Sequence, residues 1–103
     1  MMTPDLVHEC LALADEAVKD RRSAYGSPDA NYHRLAGLWS VVLETDVTAL
    51  ETVLACIQMK VARLVNDPTH ADSWIDIAGY AAIGYEISQL LKVKDHNNRR
   101  ELK

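Results

Sequence analysis

The chain has 103 residues, of which 49% are hydrophobic and 25% are charged, and its formal net charge at pH 7 is -4. This length suits one domain with a limited core. The negative charge argues against general affinity for nucleic acid, which requires a basic surface, but allows a local basic pocket for a small phosphorylated ligand. No stretch approaches the roughly 18 apolar residues of a membrane span, and residues 1–20 lack a signal-peptide pattern. The sequence therefore predicts a soluble cytoplasmic protein.

The first half of the chain contains two predicted helices, each opened by a cap residue followed by proline. The Thr-Pro pair at residues 3–4 predicts a helix to about Asp20, and the Ser-Pro pair at residues 27–28 predicts a second helix to about Glu44. Between them, the segment AYGSP interrupts the helical pattern. The residues expected to be buried are Leu6, Cys10, Leu13, Ala14 and Ala17 on the first helix, and Tyr32, Leu35, Trp39, Val42 and Leu43 on the second.

The second half contains two further predicted helices. Thr48 followed by Glu51 has the spacing of a capping box and predicts a third helix to about Val65. After the segment NDPTH, a fourth helix is expected from about Ala71 to about Val93. The residues expected to be buried are Leu50, Val53, Leu54, Ile57, Val61 and Leu64 on the third helix, and Ile83, Ile87 and Leu90 on the fourth.

No segment alternates with the period of two that indicates a strand. The sequence therefore predicts an all-α fold, most simply a four-helix bundle. We expect residues 1–94 to form a single helical domain and residues 95–103 a polar, frayed C-terminal tail. Because a chain of this length buries a small core, a homo-oligomer is also expected.

Several charged residues are predicted to meet at one end of the third and fourth helices. At about 100° per residue, Lys60 and Arg63 fall at the edge of the buried face of the third helix. Asp72 and Asp76 fall on the face of the fourth that continues into its apolar residues. A short loop makes the two helices antiparallel, so these residues should approach each other. Arg21, at the end of the first helix's buried face, is a candidate third cation.

This charged group has two interpretations. It can be a salt-bridge network that fixes helix register. Alternatively, it marks a site, because apolar substitutes for buried ion pairs are often equally stable and clustered charges are typical of functional sites. Lys60 and Arg63 suit phosphate oxygens, whereas Asp72 and Asp76, one turn apart, suit a magnesium ion. Glu51 is a further candidate metal ligand, although its capping role already explains it.

Aromatic and glycine residues add detail to a candidate nucleotide site. Tyr25, beside Gly26 in the predicted loop, can cover a base or close a pocket. Gly79 and Gly84 lie inside the fourth helix, where each costs about 1 kcal/mol of helix propensity. They indicate close approach by another helix or by a ligand.

The stretches DRRSAYGSPDANYHRLAGLWS, KVARL and THADSWIDIAGYAA resemble, in order and spacing, a family of small phage and prophage proteins over residues 15–88. This family is more remotely similar to MazG-like all-α nucleoside triphosphate pyrophosphohydrolases. Those enzymes bind magnesium through four acidic residues on two helices. The positions that match the phage family signature are Arg21, Tyr25, Gly26, Lys60, Arg63, Asp72, Asp76 and Tyr80.

The resemblance implies a nucleotide-like ligand and leaves three functions open. Position 55 is alanine, so the third helix lacks the second acidic residue of the enzyme pattern. This favours the first function, a protein that binds or sequesters a nucleotide-derived signal of host defence without robust catalysis. The second is a magnesium-dependent pyrophosphohydrolase with Glu51, Asp72 and Asp76 as metal ligands. The third is a non-catalytic structural or interaction module. The phage resemblance places the protein in the cytoplasm of an infected or lysogenic bacterium.

Overall fold

The computed structural model describes the backbone of residues 5–101 and the side chains of residues 5–97. The described residues form four helices and no strand. These are α1 (Leu6–Tyr25), α2 (Pro28–Leu43), α3 (Ala49–Asn66) and α4 (Ala71–Glu101). The predicted all-α architecture of four helices is confirmed. Among the described residues, no helix carries an apolar stretch sufficient to cross a bilayer.

Side-chain caps open the first three helices. Asp5 accepts a hydrogen bond from a first-turn backbone N–H at 3.1 Å, and Ser27 accepts one at 3.2 Å ahead of the first-turn proline. The capping box predicted at α3 is present: the Thr48 backbone N–H donates to Glu51 Oε1 at 2.9 Å, and the Glu51 N–H donates to Thr48 Oγ1 at 3.1 Å. The Thr-Pro pair at residues 3–4 lies outside the described residues. Asp5 is the non-helical N-cap of α1, so this helix begins at Leu6, two residues later than predicted.

Two helices are longer than predicted. Helix α1 continues past Asp20 to Tyr25 and ends at Gly26, which has a φ of 83°. Tyr25 therefore lies in the last helical turn and not in the loop. Helix α4 continues past Val93 to Glu101, because its polar final segment contains neither proline nor glycine to end the helix.

The core lies between α2, α3 and α4, and α4 packs most extensively against α3 and then against α1. Its buried members are Tyr32, Ala49, Val53, Ile83 and Ile87. Burying one such aliphatic side chain contributes roughly 1.5–3 kcal/mol.

Several residues predicted to be buried are exposed. They are Leu6 and Leu13 on α1, Val42 and Leu43 on α2, Leu54 and Val61 on α3, and Leu90 on α4. The physical reason is that the apolar residues of each helix spread over a wide arc of its surface. The neighbouring helices of the same chain cover only part of that arc. Helix α1, for example, buries Ala14 and turns Leu13 outward.

The two glycines inside α4 both face other helices. A Cβ at Gly79 would lie 3.5 Å from Val18 Cγ2 of α1, and one at Gly84 would lie 3.4 Å from Val53 Cγ1 of α3. The predicted approach by neighbouring helices is present, but these distances are ordinary van der Waals contacts. The packing therefore accommodates a methyl group at either position.

Candidate functional site

The carboxylate of Asp76 lies between two cations from two other helices. Lys60 Nζ of α3 is 2.9 Å from Asp76 Oδ2, and Arg21 Nη2 of α1 is 3.8 Å from Asp76 Oδ1. The exposed fractions of these side chains are 25% for Lys60, 36% for Arg21 and 21% for Asp76. The structure thus brings together three of the charged residues that the sequence placed near one another. The antiparallel packing of α3 and α4 joins Lys60 to Asp76, and the packing of α1 against α4 adds Arg21.

Arg21 is held in place by an aromatic ring as well as by this carboxylate. Its Cζ lies 4.6 Å from the centroid of the Tyr80 ring, within the range of a cation–π contact. Burial lowers the pKa of Arg21, but attraction to Tyr80, Tyr32 and Asp76 outweighs it, so the pKa is raised overall. The guanidinium group is therefore a fixed, permanent positive charge.

Three helices each contribute side chains one turn apart to this region: Arg21 and Tyr25 from α1, Cys56 and Lys60 from α3, and Asp76 and Tyr80 from α4. Helical geometry places such pairs on one face. In front of them is an open cleft of about 400 Å³. Its lining residues are Arg21, Arg22, Tyr25, Gly26, Pro28, Asn31, Tyr32, Leu35, Cys56, Tyr80 and Ile83.

The floor of the cleft is neutral at physiological pH. Burial, together with Cys56 and Tyr80, raises the pKa of Tyr32 to about 12, although Arg21 opposes this shift. Burial also raises the pKa of the Cys56 thiol, against the opposing influence of Arg21, Tyr32 and Lys60. Both groups therefore keep their protons, and the charge at the cleft wall comes from arginine.

A second ion pair lies beside the first. Arg22 Nη2 donates to Glu86 Oε2 at 3.1 Å and to Oε1 at 3.4 Å. Glu86 thus binds one nitrogen of Arg22 and leaves the others available. Sequence reasoning did not select Arg22, Asn31 or Glu86. The first two lie within the stretch that carries the phage-family resemblance, whereas no local pattern indicated Glu86.

Three predicted site residues lie outside this cluster. Arg63 and Asp72 are exposed, and neither forms an ion pair within the described residues. Glu51 is committed to the capping box, and its hydrogen bonds to Thr48 lower its pKa. Residues 5–97 contain no group of three His, Cys, Asp or Glu side chains arranged to hold a metal ion. The set of Glu51, Asp72 and Asp76 is therefore not assembled.

The fold and the cleft define a small all-helical protein with two arginines and three tyrosines around one cavity. The chain belongs to the family described as Domain of unknown function (DUF6378), whose model matches residues 9–88. The matched region contains every lining residue of the cleft. The phage-protein family expected from the sequence is confirmed by the relatives of this chain.

Two of these relatives are mycobacteriophage proteins. The Gene 55 protein of Mycobacterium phage D29 is 37% identical over 62 residues, which cover 60% of this chain and 41% of that protein. The Gene 55 protein of Mycobacterium phage L5 is 32% identical over 75 residues, covering 71% of this chain and 48% of that protein. The chain spans less than half the length of these curated relatives. No solved structure gives a significant match.

Proposed function

We propose that the cleft binds a small nucleotide-like ligand through its phosphate, and that the protein sequesters this ligand without robust catalysis. The observation that carries the proposal is the state of Arg21. Its guanidinium is half-buried, stacked on Tyr80 and 3.8 Å from Asp76. That distance is an ion pair but too long for a hydrogen bond, so Asp76 fixes Arg21 without occupying its donors. Fixed guanidinium donors match the oxygens of a phosphate.

The aromatic residues of the cleft suit the base of such a ligand. Tyr25 lines the cleft and is 62% exposed, so its ring is accessible for stacking. Base–aromatic stacking is worth roughly 1–3 kcal/mol and tolerates any base. Asn31 adds an amide that can donate to and accept from a base edge.

A role in sequestration is supported by the phage relatives. A phage benefits from a protein that removes a nucleotide-derived signal made by host defence, and removal requires affinity and abundance but no metal. This role places the protein in the cytoplasm of the infected or lysogenic bacterium.

The second candidate is the magnesium-dependent pyrophosphohydrolase of the MazG-like type, with Mg²⁺ as cofactor. In the described residues, Asp76 is the one of its three proposed ligands that reaches the cleft cluster, and it is already bound by Lys60. We rank this function second for that reason. Release of pyrophosphate with magnesium or manganese that disappears in Asp76→Ala would establish it.

We also propose a homo-oligomer, because this chain leaves large apolar side chains exposed on every helix. Examples are Leu54, Val65, Trp74 and Tyr85, with exposed fractions of 58%, 82%, 52% and 70%. The radius of gyration is 16.5 Å, whereas a compact chain of this size has about 13 Å. Sedimentation of the purified protein tests this directly, and a monomer at all concentrations would contradict it.

The third candidate is a structural module in which the charges only fix the packing. It predicts that the double variant Lys60→Met, Asp76→Leu keeps the fold and the phage phenotype. Loss of ligand binding in a double variant that remains folded would exclude it.

The experiment that tests nucleotide binding is isothermal titration calorimetry with cyclic dinucleotides, ADP-ribose derivatives and nucleoside triphosphates. Arg21→Met keeps the aliphatic stem and removes the donors, and loss of a charged hydrogen bond of about 1.5–3 kcal/mol corresponds to a loss of affinity of about 10- to 100-fold. Arg34→Met is the matched control, because Arg34 is exposed and lies outside the cleft lining. Absence of binding to the whole panel would refute the proposal. Mass spectrometry of small molecules released from the purified protein would identify a ligand retained from the host.

A further inference from the structure

The charge around the cleft is nearly balanced, which restricts the class of ligand that it can hold. Arg21 and Arg22 are the charged lining residues. Asp76 neutralises Arg21 and also pairs with Lys60, while Glu86 neutralises Arg22. The ion-pair cluster therefore contains three cations and two carboxylates, a net charge of +1.

The hydrogen-bonding capacity of the cleft is much larger than this charge. A guanidinium group has five N–H donors. Asp76 is too far from Arg21 to accept any of them, a side-chain hydrogen bond to Tyr80 engages one, and Glu86 binds Arg22 through Nη2 alone. The cleft therefore offers many donors to phosphate oxygens but has one unit of positive charge to neutralise a phosphate.

We infer that the ligand is a phosphodiester, with a single negative charge on each phosphate, and not a nucleotide with a terminal phosphate or a triphosphate chain. This inference rests on the proposed nucleotide-binding function. One phosphodiester brings the cluster to neutrality while its oxygens accept from both arginines. A terminal phosphate adds a second negative charge, and a triphosphate adds several, which no side chain of the cluster balances in a half-buried site.

The cavity volume is compatible with this ligand class. Its volume of about 400 Å³ falls in the lower part of the range of roughly 300–1,000 Å³ for small-molecule sites. It accommodates one nucleotide unit, with Tyr25 at the base and the arginines at the diester. A longer cyclic oligonucleotide would present one unit to each cleft.

The test compares nucleotides that share a base and differ in phosphate charge. Calorimetry with the full chain would use the cyclic nucleoside monophosphate, the 5′-monophosphate and the triphosphate of each of the four bases, with and without magnesium. We expect at least one cyclic diester to bind at least tenfold more tightly than the monophosphate and triphosphate of its base. Equal or tighter binding of the triphosphate, or of the monophosphate, would overturn the inference while leaving the proposed function standing. If none of these nucleotides, no cyclic dinucleotide and no ADP-ribose derivative binds, the proposed function fails too.

A charge variant provides the second measurement. Glu86→Gln removes the negative charge that balances Arg22 and leaves the lining of the cleft unchanged. It should improve the affinity for monophosphates relative to diesters by about tenfold, whereas Glu16→Gln, an exposed position on α1, should leave the ratio unchanged. An unchanged ratio in a folded Glu86→Gln protein would overturn the charge-balance argument.

Discussion

Removal of Asp76 tests the organisation of the site most directly, because this carboxylate holds two cations. Lys60 lies 2.9 Å from it and Arg21 lies 3.8 Å from it. In Asp76→Leu both positive charges remain, partly buried and without a carboxylate. We therefore expect the variant to be destabilised, and we expect Lys60→Met in the same chain to relieve part of the cost.

The size of the effect follows from the distances and the burial. Two unit charges 4 Å apart attract by about 1 kcal/mol in water and by about 4 kcal/mol at an effective dielectric constant of about 20. The pair retains exposures of 21% and 25%, so it falls between an exposed pair and a buried one. We expect Asp76→Leu to lower the free energy of unfolding by about 2–3 kcal/mol and Lys60→Met by about 1 kcal/mol, with a coupling energy of about 1.5 kcal/mol.

The assay is a double-mutant cycle measured by urea denaturation and followed by far-ultraviolet circular dichroism. The control is a second cycle with Lys19→Met and Asp15→Leu, since this pair is 3.0 Å apart but has exposures of 73% and 61%. Its coupling should be about 0.3–0.5 kcal/mol. A Lys60–Asp76 coupling no larger than the control would refute the conclusion that the cluster is a partly desolvated unit.

Three further predictions concern the cleft floor and two glycines, one at the end of α1 and one inside α4. The pKa of Tyr32 is raised from 10.0 to about 12, so its stabilising contribution is complete below pH 10 and is lost as the pH rises towards 12. Between pH 10 and pH 12, the free energy of unfolding of Tyr32→Phe should therefore fall by about 2 kcal/mol less than that of the parent protein, as measured by denaturation. Iodoacetamide should alkylate Cys56 slowly, since burial raises the pKa of its thiol. A bound nucleotide should slow the alkylation of Cys56 several-fold further and leave the alkylation rate of Cys10, which lines a different pocket, unchanged. Equal protection of both thiols would contradict the assigned cleft. In thermal denaturation, Gly26→Ala should cost about 1–3 kcal/mol, because φ of 83° with ψ of -159° is a backbone conformation that is essentially restricted to glycine. Gly79→Ala should instead gain about 0.5–1 kcal/mol, because a Cβ meets its neighbour at an ordinary 3.5 Å. The reverse order would contradict these two backbone conformations.

The starts of α2 and α3 were predictable because they depend on neighbouring residues, whereas α1 begins two residues later than the Thr-Pro pair indicated. The Ser-Pro pair at residues 27–28 and the capping box of Thr48 and Glu51 act within one turn, so the sequence carries the whole signal. The two late helix ends were harder to predict. Helix α1 stops at a glycine with positive φ, and the polar end of α4 lacks the periodicity that marks a buried face, although nothing in it stops a helix.

The site was predictable where two helices are joined by a short loop. Antiparallel packing of α3 and α4 brings Lys60 to Asp76, and helical spacing alone indicated the pair. The same spacing also predicted ion pairs for Arg63 and Asp72, but neither forms one within the described residues. Arg63 instead interacts electrostatically with Asp67, which follows the last residue of α3.

By itself, the sequence determined the helical class, the cap residues of α2 and α3, the membership of a phage-protein family and the meeting of Lys60 with Asp76. Each of these depends on local spacing or on a match along the chain. Only the tertiary structure decided that Arg21 stacks on Tyr80, that Glu86 binds Arg22 and that a cleft opens between them. These contacts join α1 to α4, and their geometry depends on how the two helices cross and rotate, which the spacing within either helix does not specify.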